Sequence, residues 1–242
     1  MSKLLDNDAP LFLLFWENGK LHARNARAFA AQLENDAGAS SEIAALHTPI
    51  LDGKLPRAND PLAKLMHVRQ SRRDLSSASL DERQLGSLCE AFAQRADGGR
   101  NLPSAGGKYP VEVFAFVLHA RSPLAGSVVY YDGPAHALCR VAACPPWETL
   151  REALGVEPER AMPSVVFVFV GMPSRVASKY GERGGRFLLI EVGHAAEALA
   201  LRIAHEELKG WELGGLFDDR VKSLLTLDGT DALIALGYAV GA

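Results

Sequence analysis

Cysteine is scarce in this 242-residue sequence, which contains only three. They are Cys89, Cys139 and Cys144, and none belongs to a C-x-x-C pair. An odd number without such pairs excludes a disulfide scaffold and a four-cysteine zinc site. The low number suits a reducing compartment, so we expect the protein to be cytoplasmic.

Long apolar runs and an excess of positive charge are also lacking. The runs at residues 11–16 and 165–170 have six residues each, too short for the apolar core of a signal peptide or for a membrane span. Lysine and arginine total 26 against 29 for aspartate and glutamate, a formal charge of −3. We therefore expect neither nucleic acid nor a membrane surface as a partner.

Several common motifs of catalysis are missing as well. The sequence has no GxxxxGK[ST], no GxGxxG after a strand, no GxSxG and no HExxH. Glu191 and His194 form one E-x-x-H pair, but a di-iron bundle needs two. We therefore expect no metal, and we interpret His194 as a packed histidine on a buried helix face.

The sequence does contain an alternation of helix and strand patterns, which predicts an α+β fold. Near its start, Asn18 and Gly19 separate two apolar segments, so a β-hairpin is predicted over residues 11–24. Residues 26–45 are rich in alanine and predict one or two short helices.

Residues 48–61 contain three prolines and one glycine and are the best linker candidate. We predict an N-terminal hairpin and helical appendage with its linker at residues 1–60, and a main domain at residues 61–242. A capping-box pattern begins at Ser79. Helices are predicted at 61–68, 79–92, 147–154, 186–208 and 218–225, and strands at 111–118, 128–131, 137–142, 164–170 and 232–240.

Residues 69–73, here called the arginine segment, read RQSRR. If the segment is extended, Arg69, Ser71 and Arg73 lie on one side. Two guanidinium groups and a hydroxyl suit a phosphate dianion. The alternative is a solvated basic loop.

Two glycine-containing loops could accept a flat ligand, because glycine lets the backbone approach closely. The first, at residues 103–110, is called the glycine loop. The second contains Gly214 and Gly215, is called the double-glycine loop, and offers backbone N–H groups. Each could equally be a plain connection. The first loop's candidate contacts are Pro103, Ser104, Ala105 and Gly106, of which Ser104 could hydrogen-bond to a heterocycle.

Lys179 and Tyr180, here called the Lys–Tyr pair, stand near Arg183 and Arg186 at the start of a predicted helix. A helix dipole disfavours cations at that end. An anion, or a group that must lose a proton, would explain the positive charge. The alternative is scattered surface charge.

The order and spacing of these motifs resemble the nitroreductase-like flavoproteins, and among them the SagB-type, or thiazole-forming, oxidases of ribosomal peptide biosynthesis. The resemblance covers residues 61–242. It is carried by RQSRR at 69–73, PSAGGKYP at 103–110, KYGERGGRFLLIEVGHAAEAL at 179–199, GGLFDD at 214–219 and LDG at 227–229.

The resemblance implies an antiparallel-rich central sheet flanked by helices and an intertwined homodimer with FMN at its interface. The arginine segment would hold the phosphate, and the glycine loop would line the ring. The double-glycine loop would offer N–H groups near flavin N5. Lys179 and Tyr180 would be catalytic, with Arg183 and Arg186 as charge support.

Three functions follow as hypotheses. The first is dehydrogenation of azolines to azoles in a ribosomally made peptide, beside a separate cyclodehydratase. Hydride would go to flavin N5 and a proton to a Lys or Tyr base. Such a base has an ordinary pKa near 10, and reaching about 7 requires roughly 4 kcal/mol from nearby charges. The second is NAD(P)H-dependent reduction of nitro, enone or dehydroamino-acid substrates, and the third is a non-catalytic scaffold.

Three departures from the family pattern bear on the substrate. Gly185 replaces the usual tyrosine, which is expected to widen the site or remove a stacking group. Glu197 and Ala198 replace a glutamine and an asparagine. The C-terminal strand lacks the basic phosphate ligands of many nitroreductases, so the arginine segment carries more of that task.

Overall fold

The central feature of the structure, a computed structural model that describes residues 8–34, 55–76 and 78–242, is a six-stranded antiparallel sheet. The strand order is β5-β4-β2-β6-β8-β7. A separate parallel pair joins β1 to β3. The strands are β1 (Leu80–Asp81), β2 (Val111–Val117), β3 (Ala120–Arg121), β4 (Ser127–Asp132), β5 (Ala137–Ala143), β6 (Val165–Gly171), β7 (Lys209–Leu213) and β8 (Leu233–Gly241).

Eight α-helices accompany the strands in the described part of the chain. They are α1 (Pro10–Gly19), α2 (Ala26–Glu34), α3 (Pro61–Val68), α4 (Glu82–Cys89), α5 (Trp147–Ala153), α6 (Pro173–Tyr180), α7 (Arg183–His205) and α8 (Asp218–Leu224). Among the residues that the structure describes, none of these helices combines the length and the hydropathy that a membrane span requires.

Helices cover both faces of the sheet, which gives the predicted α+β sandwich. Strand β6 is buried along its whole length, as a central strand with both faces covered must be. On one face Phe167 packs with Leu188 and Leu199 of α7. On the other, α5 and α8 pack against the alternate side chains of the same strands.

The ends of several strands meet where the candidate site lies. Val111 pairs with Gly171, and Gly171 pairs with Leu233. The glycine loop precedes Val111, and α6 follows Gly171. The double-glycine loop follows Leu213, which pairs with Gly237 of β8.

The predicted hairpin over residues 11–24 is wrong, because residues 10–19 form helix α1. Pro10 stands at its first turn, where a missing N–H costs nothing. Phe12 and Trp16, four residues apart, bury one face against Ala177 and Leu233. Of the one or two short helices predicted over residues 26–45, one is present as α2 at residues 26–34. Residues 35–45, like residues 48–54 of the predicted linker, lie outside the described residues.

Smaller differences have local causes. The capping box starts at Asp81, not Ser79, because Asp81 and Gln84 bond to each other's backbone N–H groups. Helix α7 starts at Arg183 rather than 186. Helix α6 and strand β7 were not predicted, and Gly210, two residues beyond the predicted end of the long helix, lies inside β7.

Candidate active site

The glycine loop lies directly against the Lys–Tyr pair. A Cβ atom added to Gly106 would come within 2.7 Å of Lys179 Nζ and closer still to the Tyr180 hydroxyl oxygen. Gly106 also has φ +60°, a conformation that favours glycine. The structure therefore brings together two motifs that lie about seventy residues apart in the sequence.

The Lys–Tyr pair stands in the last turn of α6. Lys179 Nζ lies 5.3 Å from the centre of the Tyr180 ring. The Tyr180 ring in turn packs edge-on against Phe187, with 4.9 Å between centroids. Arg183 and Arg186 lie in the first turn of α7, and both are exposed. The residues expected to give charge support are thus both exposed to solvent, and Arg183 lies three residues after Tyr180.

Internal hydrogen bonds shape the glycine loop. The Ser104 hydroxyl oxygen accepts from the Tyr109 N–H at 2.8 Å. Arg175 of α6 donates to the Tyr109 carbonyl at 2.8 Å and pairs with Glu112 at 2.5 Å. Ser104 thus has a loop-shaping partner in addition to the ligand contact predicted for it.

Glu191 of α7 is a buried acid beneath this loop. Its residue is 3% exposed, and none of the described residues hydrogen-bonds to its Oε2 atom. Burial raises the pKa of the Glu191 carboxyl, opposed by a hydrogen bond from Ser104 and by the charge of Arg100. Sequence reasoning considered Glu191 only as a metal ligand, although an acid on an apolar helix face is itself a signal.

The metal interpretation finds no support among the described residues, where no cluster of three His, Cys, Asp or Glu side chains could hold an ion. His194 is exposed, so its interpretation as a packed histidine on a buried face is wrong. The face of α7 that is buried carries Glu191 instead.

The arginine segment runs along the edge strand β7. The Arg72 N–H donates to the Gly210 carbonyl at 2.8 Å, and its guanidinium pairs with Asp74 at 2.7 Å. Arg72 is therefore engaged within the chain. The pairing also holds the pKa of the Asp74 carboxyl well below its usual range.

Of the three residues predicted to hold the phosphate, the two arginines lie near different parts of the structure. The charge of Arg69 lowers the pKa of Tyr238 beside α7, although burial raises that pKa overall, to about 12. The charge of Arg73 acts on Glu157, which follows α5. Ser71 and Arg73 are exposed. Arg69 is thus the member of the set on the α7 side of the sheet.

A strip with little side-chain cover runs from Arg69 towards the double-glycine loop. Leu189, Gly193 and Glu197 are spaced by four residues and so share one face of α7. Glu197, like Arg69, acts on Tyr238, and Leu189 borders a cavity of about 540 Å³ together with Gly214.

The glycines on this strip leave room for a ligand. Gly193, Gly214 and Gly215 have no atom within 4 Å of the position that a Cβ would take. A glycine inside a helix costs about 1 kcal/mol of stability relative to alanine. We therefore expect the open space at Gly193 to have a functional role. The open space at these three glycines, with Arg69 at one end of the strip, leaves room for a flat ring that carries a phosphate. Sequence reasoning missed Gly193.

Gly185 does not widen the site as expected. A Cβ there would fall within 2.6 Å of the Phe12 ring of α1. Phe12 thus occupies the space beside the long helix. The departure at Gly185 is matched by an aromatic ring from a distant part of the chain.

The sequence model of the nitroreductase family matches residues 66–242. The chain belongs to the nitroreductase family. It is 27% identical over 168 residues to the candidate nitroreductase MJ1384 of Methanocaldococcus jannaschii, covering 69% of this chain and 84% of that protein.

A second relative of this nitroreductase-family chain and a solved structure of similar fold both come from the microcin B17 system of Escherichia coli. McbC of Escherichia coli, named a microcin B17-processing protein, is 31% identical over 147 residues. That match covers 58% of this chain and 54% of McbC, so the alignment spans about half of the relative. The E. coli microcin synthetase McbBCD complex with truncated pro-MccB17 bound contains a chain of similar fold, with TM-score 0.68 and 22% identity over 100% of this chain and 96% of that chain.

Proposed function

We propose that this nitroreductase-family oxidoreductase uses FMN to dehydrogenate azolines to azoles in a ribosomally made peptide. The observation that carries the proposal is the contact of Gly106 with Lys179 and Tyr180. It joins the loop assigned to the flavin with the pair assigned to catalysis. The likeness to McbC supports a peptide as the substrate.

FMN is supported by the family and by the strip along α7. Proteins of the nitroreductase family typically use a flavin. In our proposal, Arg69, with Ser71 and Arg73, holds the phosphate, and the N–H groups of Gly214 and Gly215 hydrogen-bond to the ring. The glycine loop lines the ring through Pro103, Ser104, Ala105 and Gly106. When bound, FMN supplies a hydride acceptor.

The residues of this chain perform the rest of the reaction. The Lys–Tyr pair takes the proton from the azoline ring carbon, and a base in hydrogen-bond reach is the requirement for that role. The close fit of Gly106 fixes where the hydroxyl of Tyr180 and the ammonium of Lys179 can lie. Arg183 and Arg186 follow the pair in the first turn of α7 and are the residues we propose as its charge support.

A homodimer is part of the proposal, with FMN at the interface. Exposed apolar side chains support it: Leu62 and Met66 on α3, and Ile190 on α7, are each more than half exposed. A cyclodehydratase and a precursor peptide are the further partners we propose, by analogy with the McbBCD complex.

Absorbance spectroscopy of the purified protein between about 300 and 550 nm tests the flavin. We expect a flavin spectrum that NADH and NADPH do not bleach without oxygen, and that an azoline-containing peptide does bleach. Lys179→Ala with Tyr180→Phe should abolish the peptide reaction, whereas Lys64→Met on the exposed face of α3 should not. Protein that binds no FMN even after soaking would leave only the scaffold hypothesis.

A second candidate function is favoured by the match to MJ1384, which spans 84% of that nitroreductase candidate. It is NAD(P)H-dependent reduction of nitro, enone or dehydroamino-acid substrates. Rapid bleaching by NADH or NADPH, followed by reoxidation with a nitroarene, would establish it in place of azoline oxidation.

A further inference from the structure

Helix α1 is anchored at its start by the segment that carries the Lys–Tyr pair. Glu182 accepts hydrogen bonds from the backbone N–H groups of Leu11 and Phe12, each at 2.7 Å. The first N–H groups of a helix have no partner inside the helix. A carboxylate there is also favoured by the helix dipole. Glu182 stands two residues after Tyr180, so the bond ties α1 to the catalytic segment.

A shape match reinforces this anchor. The Phe12 ring lies against Gly185, where any side chain would collide with it. Phe12 is buried with Ala9 and Trp16 of the same segment, on Ala177 of α6 and Leu233 of β8. The Phe12 ring in this position therefore requires a glycine at position 185.

The other end of α1 is anchored near the double-glycine loop. Lys20 pairs with Asp219 at 2.9 Å, and the Leu21 N–H donates to Asp218 at 3.4 Å. Asp218 and Asp219 open α8, three and four residues after Gly215. Between the two anchors, α1 and α2 wall the cavity that Gly214 borders.

Ten helical residues span about 15 Å, so α1 bridges two segments that the sequence separates. We propose that α1 is a positioning strap, with Glu182 and Phe12 as its positioning residues, that fixes the Lys–Tyr pair relative to the double-glycine loop. The inference rests on the proposed function only for the roles of the Lys–Tyr pair and the double-glycine loop. The connection itself stands on contacts within this chain.

Hydrogen exchange on the FMN-loaded protein tests the connection without any substrate. Glu182→Gln keeps the side-chain shape but loses one acceptor oxygen and the charge. We expect exchange to rise about tenfold in residues 10–19, and to rise also in residues 104–108 and 214–217. The exposed acid Glu159 offers a matched control, and Glu159→Gln should change none of these. A rise confined to residues 10–19 would overturn the proposal.

Moving the aromatic ring from position 12 to position 185 distinguishes a positioning role of Phe12 from a purely structural one. Phe12→Ala should lower kcat for an azoline peptide about tenfold with KM unchanged, because misplacement affects the reacting geometry. The double variant Phe12→Ala/Gly185→Phe returns a ring to the same space and should restore kcat to within about twofold of the original. A rise in KM alone, or no rescue, would overturn the proposal.

The two proposals fail in different ways. If the unmodified FMN-loaded protein oxidises no azoline peptide, the proposed function is wrong. Hydrogen exchange in residues 104–108 and 214–217 then still tests the positioning role of α1. Phe12→Ala should raise the exchange rate of these residues, and the double variant should return it to that of the unmodified protein. Exchange that is unchanged by Phe12→Ala contradicts the strap whatever the reaction proves to be.

Discussion

At the scale of single residues, two adjacent glycines give a controlled test of the site. Gly106 and Gly107 both have positive φ, +60° and +64°, but only Gly106 lies against other atoms, those of Lys179 and Tyr180. Alanine at either position carries the same backbone strain, about 1–2 kcal/mol. Gly106→Ala alone should also displace the Lys–Tyr pair, and we expect a further loss in kcat of about a hundredfold. Steady-state kinetics of both variants compares them, and equal losses would contradict the role of the contact.

The buried acid Glu191 predicts a pH dependence of stability. Burial raises its pKa in the folded protein above the unfolded value. The folded state therefore holds its proton longer, and the free energy of unfolding falls as pH rises from the unfolded pKa through the folded one. Glu191→Gln removes this dependence, so its stability relative to the unmodified protein should increase with pH over that interval. Urea unfolding between about pH 4 and 8 measures it, with the exposed Glu197→Gln as control.

The sequence motifs identified candidate residues but not the contacts between them. The arginine segment and the Lys–Tyr pair are recognisable from residue type and spacing. The contact of Phe12 with Gly185, and the bond from Phe12 to Glu182, join positions about 170 residues apart. Nothing in local periodicity signals such pairs, because both partners are ordinary residues until the chain folds. Gly193 was missed for the same reason, since its open surroundings exist only in three dimensions.

At the scale of elements, the close approach of α6 and α7 depends on Gly184. A Cβ there would lie 3.0–3.1 Å from backbone atoms of Val176 and Ala177, which cannot move aside as a side chain would. Gly184→Ala should destabilise the protein by about 1–3 kcal/mol. Gly193→Ala, in the same helix but in open space, should stabilise the FMN-free protein by up to about 1 kcal/mol. Urea unfolding distinguishes them, and equal effects would contradict this packing argument.

Elements with strong patterns were predicted well. Strands β2, β6 and β8 are apolar runs in the buried centre of the sheet, so their composition identifies them. Strand β7 was missed because it is a short edge strand in which charged residues and a glycine interrupt the apolar ones. The N-terminal hairpin was wrong because Asn-Gly is a strong hairpin signal locally. The pairing of Phe12 and Trp16 on Ala177 outweighed it.

At the scale of the whole molecule, the exposed apolar side chains of helix α3 predict a protein–protein interface. It has no buried residue, yet its side chains include Leu62, Met66 and Val68, each more than half exposed. Apolar patches of this kind on a folded protein commonly mark interfaces. If the proposed homodimer uses this face, the double variant Leu62→Glu/Met66→Glu should convert it to a monomer and weaken FMN binding. Sedimentation velocity with flavin detection measures both, and Lys64→Glu on the same helix is the control. Unchanged sedimentation would place any interface elsewhere.

The ring of Phe12 against Gly185 has a consequence for evolution and for protein engineering. The family pattern carries an aromatic residue within the long helix, whereas this chain supplies one from its N-terminal segment. Positions 12 and 185 are thus coupled in this chain, so the residue accepted at one depends on the residue at the other. A truncated protein of residues 61–242 would keep every family motif, but it would lack Phe12 and leave the space beside Gly185 unfilled. The substitution Gly185→Tyr should therefore accompany any such truncation, because it returns an aromatic ring to that space.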